Sequence, residues 1–169
     1  MRAALVAVLL LATAAPARAD TATELVEWYG TKKHYRSVKK EVVGWHKTTK
    51  NACVAFVSTA LRRIGVDVPR DAEVDGEKVS RLTRPLSIWL EDRLGWQRID
   101  DVDALLPGDV VFTENAEYPW HVYVFHSWKD ADARIARVID NQGLLNERDV
   151  LGSGEGNFTP FAYALRAPE

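Results

Sequence analysis

Residues 51–65, Asn-Ala-Cys-Val-Ala-Phe-Val-Ser-Thr-Ala-Leu-Arg-Arg-Ile-Gly, contain the single cysteine of this chain. After Cys53, apolar side chains recur at helical spacing, which predicts an amphipathic helix that begins at the cysteine. We expect Asn51 or a preceding threonine to cap its N-terminus and Gly65 to follow its C-terminus. A thiol at a helix N-terminus lies near the positive end of the helix dipole, which favours the thiolate. Cys53 is therefore a candidate nucleophile with a partly exposed side chain. The alternative, a small buried apolar residue, fits the local sequence equally well.

The N-terminus has the features of a secretory signal peptide. An arginine precedes a short apolar stretch, and Ala17 and Ala19 form a small-x-small cleavage site. We therefore expect cleavage after Ala19 and a secreted or periplasmic mature protein. That compartment permits disulfides, but a single cysteine has no partner within the chain. An unpaired thiol there is open to oxidation. Its presence favours a functional role.

The charge balance argues against nucleic acid and anionic membranes as partners. Without Arg2 and Arg18, 20 of the 22 basic residues remain against 24 acidic ones, a net charge of −4. No segment after the signal peptide is apolar over a length that spans a bilayer. The histidines and the cysteine lack the ligand spacing of zinc sites, so we expect no metal and no cofactor.

Helical patterns precede strand-like patterns along the chain. A short helix is predicted from Thr23 to about Tyr35, where it runs into a basic segment interpreted as surface. After the Cys53 helix, residues 70–78 are predicted to form a loop, and Pro85 begins another helix that ends at Gly95. Residues 105–112 are predicted to form a turn that leads into a β-rich region, and strands are predicted over residues 121–126, 135–140 and 158–165. This order predicts an α+β fold with N-terminal helices packed on an antiparallel sheet. We divide the chain into residues 1–19 (signal peptide), 20–45 (helical accessory segment without a catalytic group) and 46–169 (catalytic domain).

A thiol nucleophile needs a base within hydrogen-bond reach. His34 lies in a basic segment typical of surface, and His46 lies in a polar loop, so it remains only an outside candidate. His121 and His126 belong to one predicted strand at an odd separation, so alternation points them to opposite faces. We favour His121, which begins the strand directly after a loop. The alternative is a structural histidine at a strand end.

A third residue has to orient the base. A hairpin returns the end of the strand at 135–140 to the neighbourhood of His121. Alternation places Asp140 and Gln142 on one face and Arg137 and Asn141 on the other. Because an arginine is costly to bury, we predict that Asp140 faces the cleft, with Asn141 as the alternative. Residues 140–143 also read as a simple polar turn.

These segments together resemble the CHAP amidohydrolase/peptidase family and its NlpC-type relatives. Asn-Ala-Cys-Val-Ala-Phe-Val-Ser resembles the nucleophile helix, and Leu-Pro-Gly-Asp-Val-Val-Phe at 106–112 resembles the turn and strand that lead the family's sheet. His-Val-Tyr-Val-Phe at 121–125 resembles the catalytic-histidine strand, and Val-Ile-Asp-Asn-Gln at 138–142 resembles the strand end that supplies the third polar residue.

The resemblance implies a papain-like fold and metal-free cleavage of amide bonds, most often in bacterial peptidoglycan. Cys53 is then the nucleophile, His121 the base and Asp140 the orienting residue, in a monomer acting on peptidoglycan or a peptide. Substrate contacts are expected from Trp120, Gln142 and Asn51. The competing hypothesis is a secreted, non-catalytic module on the same fold that binds glycan or cell wall, since six tryptophans offer aromatic surface.

Overall fold

The computed structural model describes residues 20–152 and 159–168, and the expected signal peptide lies outside them. The described residues form helices α1 (Thr21–Tyr29), α2 (Lys32–His46), α3 (Cys53–Arg63) and α4 (Thr83–Ile88), the last continued by a π-helical turn (Trp89–Arg93). A 3₁₀ turn occupies Val102–Ala104. The strands are β1 (Glu73–Val74), β2 (Glu77–Lys78), β3 (Gln97–Ile99), β4 (Val110–Thr113), β5 (Val122–Asp130), β6 (Ile135–Ile139), β7 (Leu144–Asp149) and β8 (Phe161–Arg166).

The larger sheet has the order β3-β8-β4-β5-β6-β7, and every neighbouring pair is antiparallel. Helices therefore precede an antiparallel sheet, which confirms the predicted α+β class. Residues 70–78 contain the small β1–β2 hairpin, so the loop prediction there is wrong. Strands β3 and β7 were not predicted, because β3 is only three residues long and β7 is largely polar. No helix among the described residues is long and apolar enough to cross a membrane.

Helix α3 begins at the cysteine as predicted, and its polar residues Ser58 and Thr59 are buried along with its apolar side chains. All nine residues from its first position to Leu61 are buried, because α2 and the sheet cover it from different sides. A helix covered all round is the central element of a core. Its C-terminal end follows the prediction: Gly65 has φ 88°, and the N–H of Val66 bonds the carbonyl of Leu61 at 3.0 Å.

The predicted single N-terminal helix is two helices. The break lies at Gly30, after which the Thr31 hydroxyl accepts the His34 N–H at 3.3 Å and caps α2. The basic segment is therefore the first turn of α2, with its charges outside and Val38 and Val42 buried. Leu25 and Tyr29 are buried in the core around α3, and Trp28 packs against that core.

Two apolar layers follow from strand alternation. Val122 and Val124 face the helices and join the core around α3, whereas Tyr123 and Phe125 join a second cluster on the opposite face of the sheet. The first layer fixes α3 against β5. The N-terminal end of α3 and the start of β5 therefore lie together, and the candidate site is built there.

Candidate active site

Cys53 is the first residue of α3 and lines a cleft of about 720 Å³. The side chain belongs to the hydrophobic core and is only 8 % exposed, so the expectation of a partly exposed thiol is wrong. The reason is the complete coverage of α3. The expected cap is also different: Ala52 occupies the N-cap position, and Asn51 adopts a left-handed conformation with φ 53°. Asparagine tolerates this conformation, which turns the chain into the helix.

His121 lies immediately before β5, in the same cleft. Its carbonyl accepts the N–H of Thr113 at 3.2 Å, which attaches it to the end of β4. Its Nε2 lies 3.0 Å from Oδ2 of Asp140. Nδ1 is therefore the ring nitrogen left for the thiol, and Cys53 lines the same cleft as His121. The structure thus brings Cys53, His121 and Asp140 together.

Asp140 is fully buried in the turn between β6 and β7. Its Oδ1 accepts the N–H groups of Gln142 at 2.8 Å and Gly143 at 3.1 Å, so the residue shapes the turn as well as contacting the histidine. Asn141 points elsewhere: its Nδ2 donates to the carbonyl of Thr49 at 2.9 Å. Between the two alternatives, Asp140 is the residue beside His121.

Arg148 on β7 is the residue that sequence reasoning missed. It is 2 % exposed, and its Nη2 donates to Oδ2 of Asp140 at 2.8 Å and to Oε1 of Gln142 at 2.9 Å. Its position in the polar sequence Leu-Leu-Asn-Glu-Arg-Asp gave no sign of burial. The buried carboxylate eight residues earlier is what makes its burial possible.

The charges of the cluster support one another. Burial by itself disfavours the imidazolium, but hydrogen bonds with Asp140 and Cys53 outweigh it and raise the pKa of His121 to about 9. Burial likewise opposes ionisation of Asp140, yet the hydrogen bonds and charges of His121 and Arg148 hold its pKa below the ordinary value. At neutral pH the site therefore contains an imidazolium between a carboxylate and the cysteine.

The three expected substrate contacts all line the cleft. Trp120 is 75 % exposed at its edge, Asn51 lies in the loop before α3, and Gln142 is held by Arg148. The Thr83 hydroxyl donates to the carbonyl of Pro119 and so attaches the Trp120 loop to the start of α4. Their predicted contact with substrate stays a prediction.

The other histidines have separate partners. His34 stacks on Trp28 with ring centroids 4.5 Å apart, and the Nδ1 of His46 bonds the carbonyl of Thr48. His126 bonds the Ser127 hydroxyl beside a register shift in β5, and its ring lies next to Gly30. Because His121 precedes the first residue of β5, strand alternation does not determine whether His121 and His126 point to opposite faces of the sheet.

Within the described parts of the chain, no group of three or more His, Cys, Asp or Glu side chains is placed to hold a metal ion. Comparisons of the chain with protein-family models, with curated proteins and with solved structures gave no match.

Proposed function

We propose that this protein is a cysteine hydrolase that cleaves amide bonds. The observation that carries the proposal is that Cys53 and His121 line one cleft, with His121 bonded to buried Asp140 and Asp140 bonded to buried Arg148. A nucleophile, a base and a group that orients the base are the parts that thiol-dependent acyl transfer requires. The nucleophile stands at the start of a rigid, buried helix, which holds it in a fixed position.

In the proposed reaction, His121 takes the proton of Cys53. Because the pKa of His121 is raised to about 9, the imidazolium is present at neutral pH before substrate arrives. The thiolate attacks the amide carbonyl carbon and a C–S bond forms. The C–N bond then breaks as His121 returns its proton to the leaving amine. Water, deprotonated by His121, attacks the acyl-enzyme, and the acid product leaves as the thiolate reforms.

The oxyanion of the tetrahedral intermediate needs donors that are already in place. The first N–H groups of an α-helix have no acceptor within the helix, so the N–H of Cys53 is suited to this role. The same position near the N-terminus of α3 favours negative charge on the sulfur and on the oxyanion.

Bacterial peptidoglycan is the proposed substrate, cut by endopeptidase or amidase action. Two sequence features support it: the resemblance to CHAP and NlpC-type enzymes, and the expected signal peptide that would export the chain to the cell wall. Neither cofactor nor metal enters this mechanism, since the thiol and the imidazole supply the nucleophile and the acid-base group.

The alternative is a non-catalytic module that binds glycan or cell wall through the same cleft. The observation in its favour is Trp120, whose exposed ring at the edge of the cleft offers a stacking surface. Such a binder needs no reactive thiol, and thiol reactivity therefore discriminates between the two functions.

The test is digestion of purified peptidoglycan by the mature protein and by Cys53→Ala, with new termini identified by mass spectrometry. The hydrolase is supported if new amino termini or free lactyl groups arise only with the wild type. Iodoacetamide at mildly acidic pH should alkylate Cys53 in the folded protein faster than it alkylates free cysteine. Labelling only after unfolding, together with intact peptidoglycan that still binds the protein, would favour the alternative.

A further inference from the structure

Positive charge is concentrated at the cleft in front of Cys53. Three cations from three segments line it: Lys39 on α2, Lys50 in the loop before α3, and Arg81 before α4. Among the described residues that line it, none is an aspartate or a glutamate. The chain as a whole is acidic, with a formal net charge of −2. The charge of the cleft is therefore opposite to the average of the molecule.

These three cations are not neutralised within the fold. All are exposed, and none forms an ion pair with a residue that the structure describes. By contrast, Arg63 and Arg70 on the outer surface share Glu41. The guanidinium of Arg81 lies 5.9 Å from the Trp45 ring centroid, a contact that supports the side chain and leaves its charge available.

We propose that the cleft is a carboxylate subsite and that the substrate is a peptide with a free carboxylate close to the amide that is cut. This inference rests on the proposed hydrolase function and adds the chemical class of its substrate. A cleft lined by one sign of charge concentrates ligands of the opposite sign. Lysine and arginine side chains only donate hydrogen bonds, and the carboxylate is the negatively charged acceptor of a peptide. A neutral substrate would leave three like charges unpaired.

The charge of the cleft can be measured by comparing the rates at which two reagents of different charge alkylate Cys53. Iodoacetate is an anion and iodoacetamide is neutral, and both react at the Cys53 sulfur. The ratio of their rates should fall about two- to fivefold in each of Lys39→Gln, Lys50→Gln and Arg81→Gln, as expected for single exposed charges. Lys40→Gln is the matched control, an exposed lysine beside Lys39 that does not line the cleft. Added salt should lower the wild-type ratio by screening.

Substrate preference is measured as KM for peptides that carry the carboxylate at different positions. One set has a glutamate side chain and an amidated C-terminus, a second has glutamine and a free C-terminus, and a third is neutral. In the triple variant, KM for the preferred anionic set should rise while KM for the neutral set stays within twofold. The set whose KM responds identifies the source of the carboxylate.

The outcomes separate the inference from the proposed function. If the rate ratio and the KM preference are unchanged in the triple variant while hydrolysis continues, the carboxylate subsite is wrong and the hydrolase stands. If no peptide or peptidoglycan is cut, calorimetry of the peptides with Cys53→Ala still decides the inference. Tighter binding of the anionic peptides, lost in the triple variant, supports the subsite and overturns only the hydrolase. Equal affinity for all three sets overturns the subsite.

Discussion

The buried contact between Arg148 and Asp140 makes Arg148→Met an informative substitution. Methionine fills much of the same space but brings no charge, so the variant leaves the buried carboxylate without one of its two cationic partners. The remaining partner is the imidazolium of His121, 3.0 Å away, and the N–H groups of Gln142 and Gly143 still donate to Oδ1. Arg148→Met also removes the hydrogen bond from Nη2 to Oε1 of Gln142, whereas the Nε of Arg148 has no hydrogen-bond partner among the described residues.

Removing one partner of a buried ion pair costs about 3–5 kcal/mol of folding free energy. Because His121 remains beside the carboxylate, we expect the lower end, about 3 kcal/mol. For a domain of this size that corresponds to a fall in Tm of about 6–12 °C. The total stability of such domains is about 5–15 kcal/mol, so the variant should still fold.

Urea and thermal unfolding followed by circular dichroism measure this loss. The matched control is Arg137→Met on the neighbouring strand β6, where the arginine is exposed. Substitution of an exposed residue without buried partners should change the free energy of unfolding by no more than about 0.5 kcal/mol.

The double variant Arg148→Met/Asp140→Asn tests whether the charges interact. Once the carboxylate is absent, Arg148 has no buried charge to neutralise, so the double variant should be less destabilised than the sum of the single variants. Additivity within about 0.5 kcal/mol, or an effect of Arg148→Met as small as that of Arg137→Met, would show that Arg148 does not stabilise the buried carboxylate.

Three further predictions concern catalysis, and one concerns the pH dependence of stability. Cys53→Ala and His121→Ala should each abolish hydrolysis in a folded protein, and Asp140→Ala should leave residual activity because Asp140 influences the reaction through His121 and does not touch the substrate. Equal loss in all three would contradict the assigned roles. The pH–rate profile should decline near pH 9 as the His121 imidazolium deprotonates, and Asp140→Asn should move this decline to lower pH by removing a hydrogen bond that raises the pKa of His121. The same raised pKa makes the His121 ion pair stabilise the fold fully below about pH 6.5 and progressively less as pH rises through about 9. His34→Ala should leave turnover unchanged, since the contacts of the His34 ring are with Trp28 and Thr31 in the N-terminal helical region. A large loss of turnover in a folded variant would show that residues 20–45 take part in catalysis.

Local sequence patterns predicted the structure correctly where the surroundings of a residue are determined by residues close to it in the chain. The start of α3 and the strands β4, β5 and β6 follow from spacing and turn residues. Asp140 was preferred over Asn141 by strand alternation, and the structure does place Asp140 beside His121. Alternation is not the reason, because Ala136 and Val138 lie on the face of the sheet away from α3 and Asp140 lies beyond the end of β6. The juxtaposition of His121 and Asp140 follows from one hairpin, which is a short-range feature.

Features that depend on distant partners were not predictable. Cys53 is buried because α2 and the sheet both pack on α3. The residues next to Cys53 in the sequence do not indicate these contacts. Arg148 is buried because a carboxylate and an amide oxygen from another turn meet its guanidinium. The cleft cations come from three segments that only the tertiary fold brings together. The division at residue 45 stays a prediction, although residues from both sides of it share one core.

The surroundings of Asp140 explain why this position suits a carboxylate and not an amide. Every polar group that contacts the carboxylate is a donor: the N–H groups of Gln142 and Gly143 and the Nδ2 of Asn146 on Oδ1, and Arg148 and His121 on Oδ2. A carboxylate has acceptor sites on both oxygens. An asparagine would turn its NH₂ either toward the backbone donors or toward Arg148 and His121. In the second orientation it would donate to Nε2 and move the ring proton to Nδ1, the nitrogen that has to accept the thiol proton. The same contacts therefore shape the turn, keep the carboxylate charged and fix the tautomer of the proposed base.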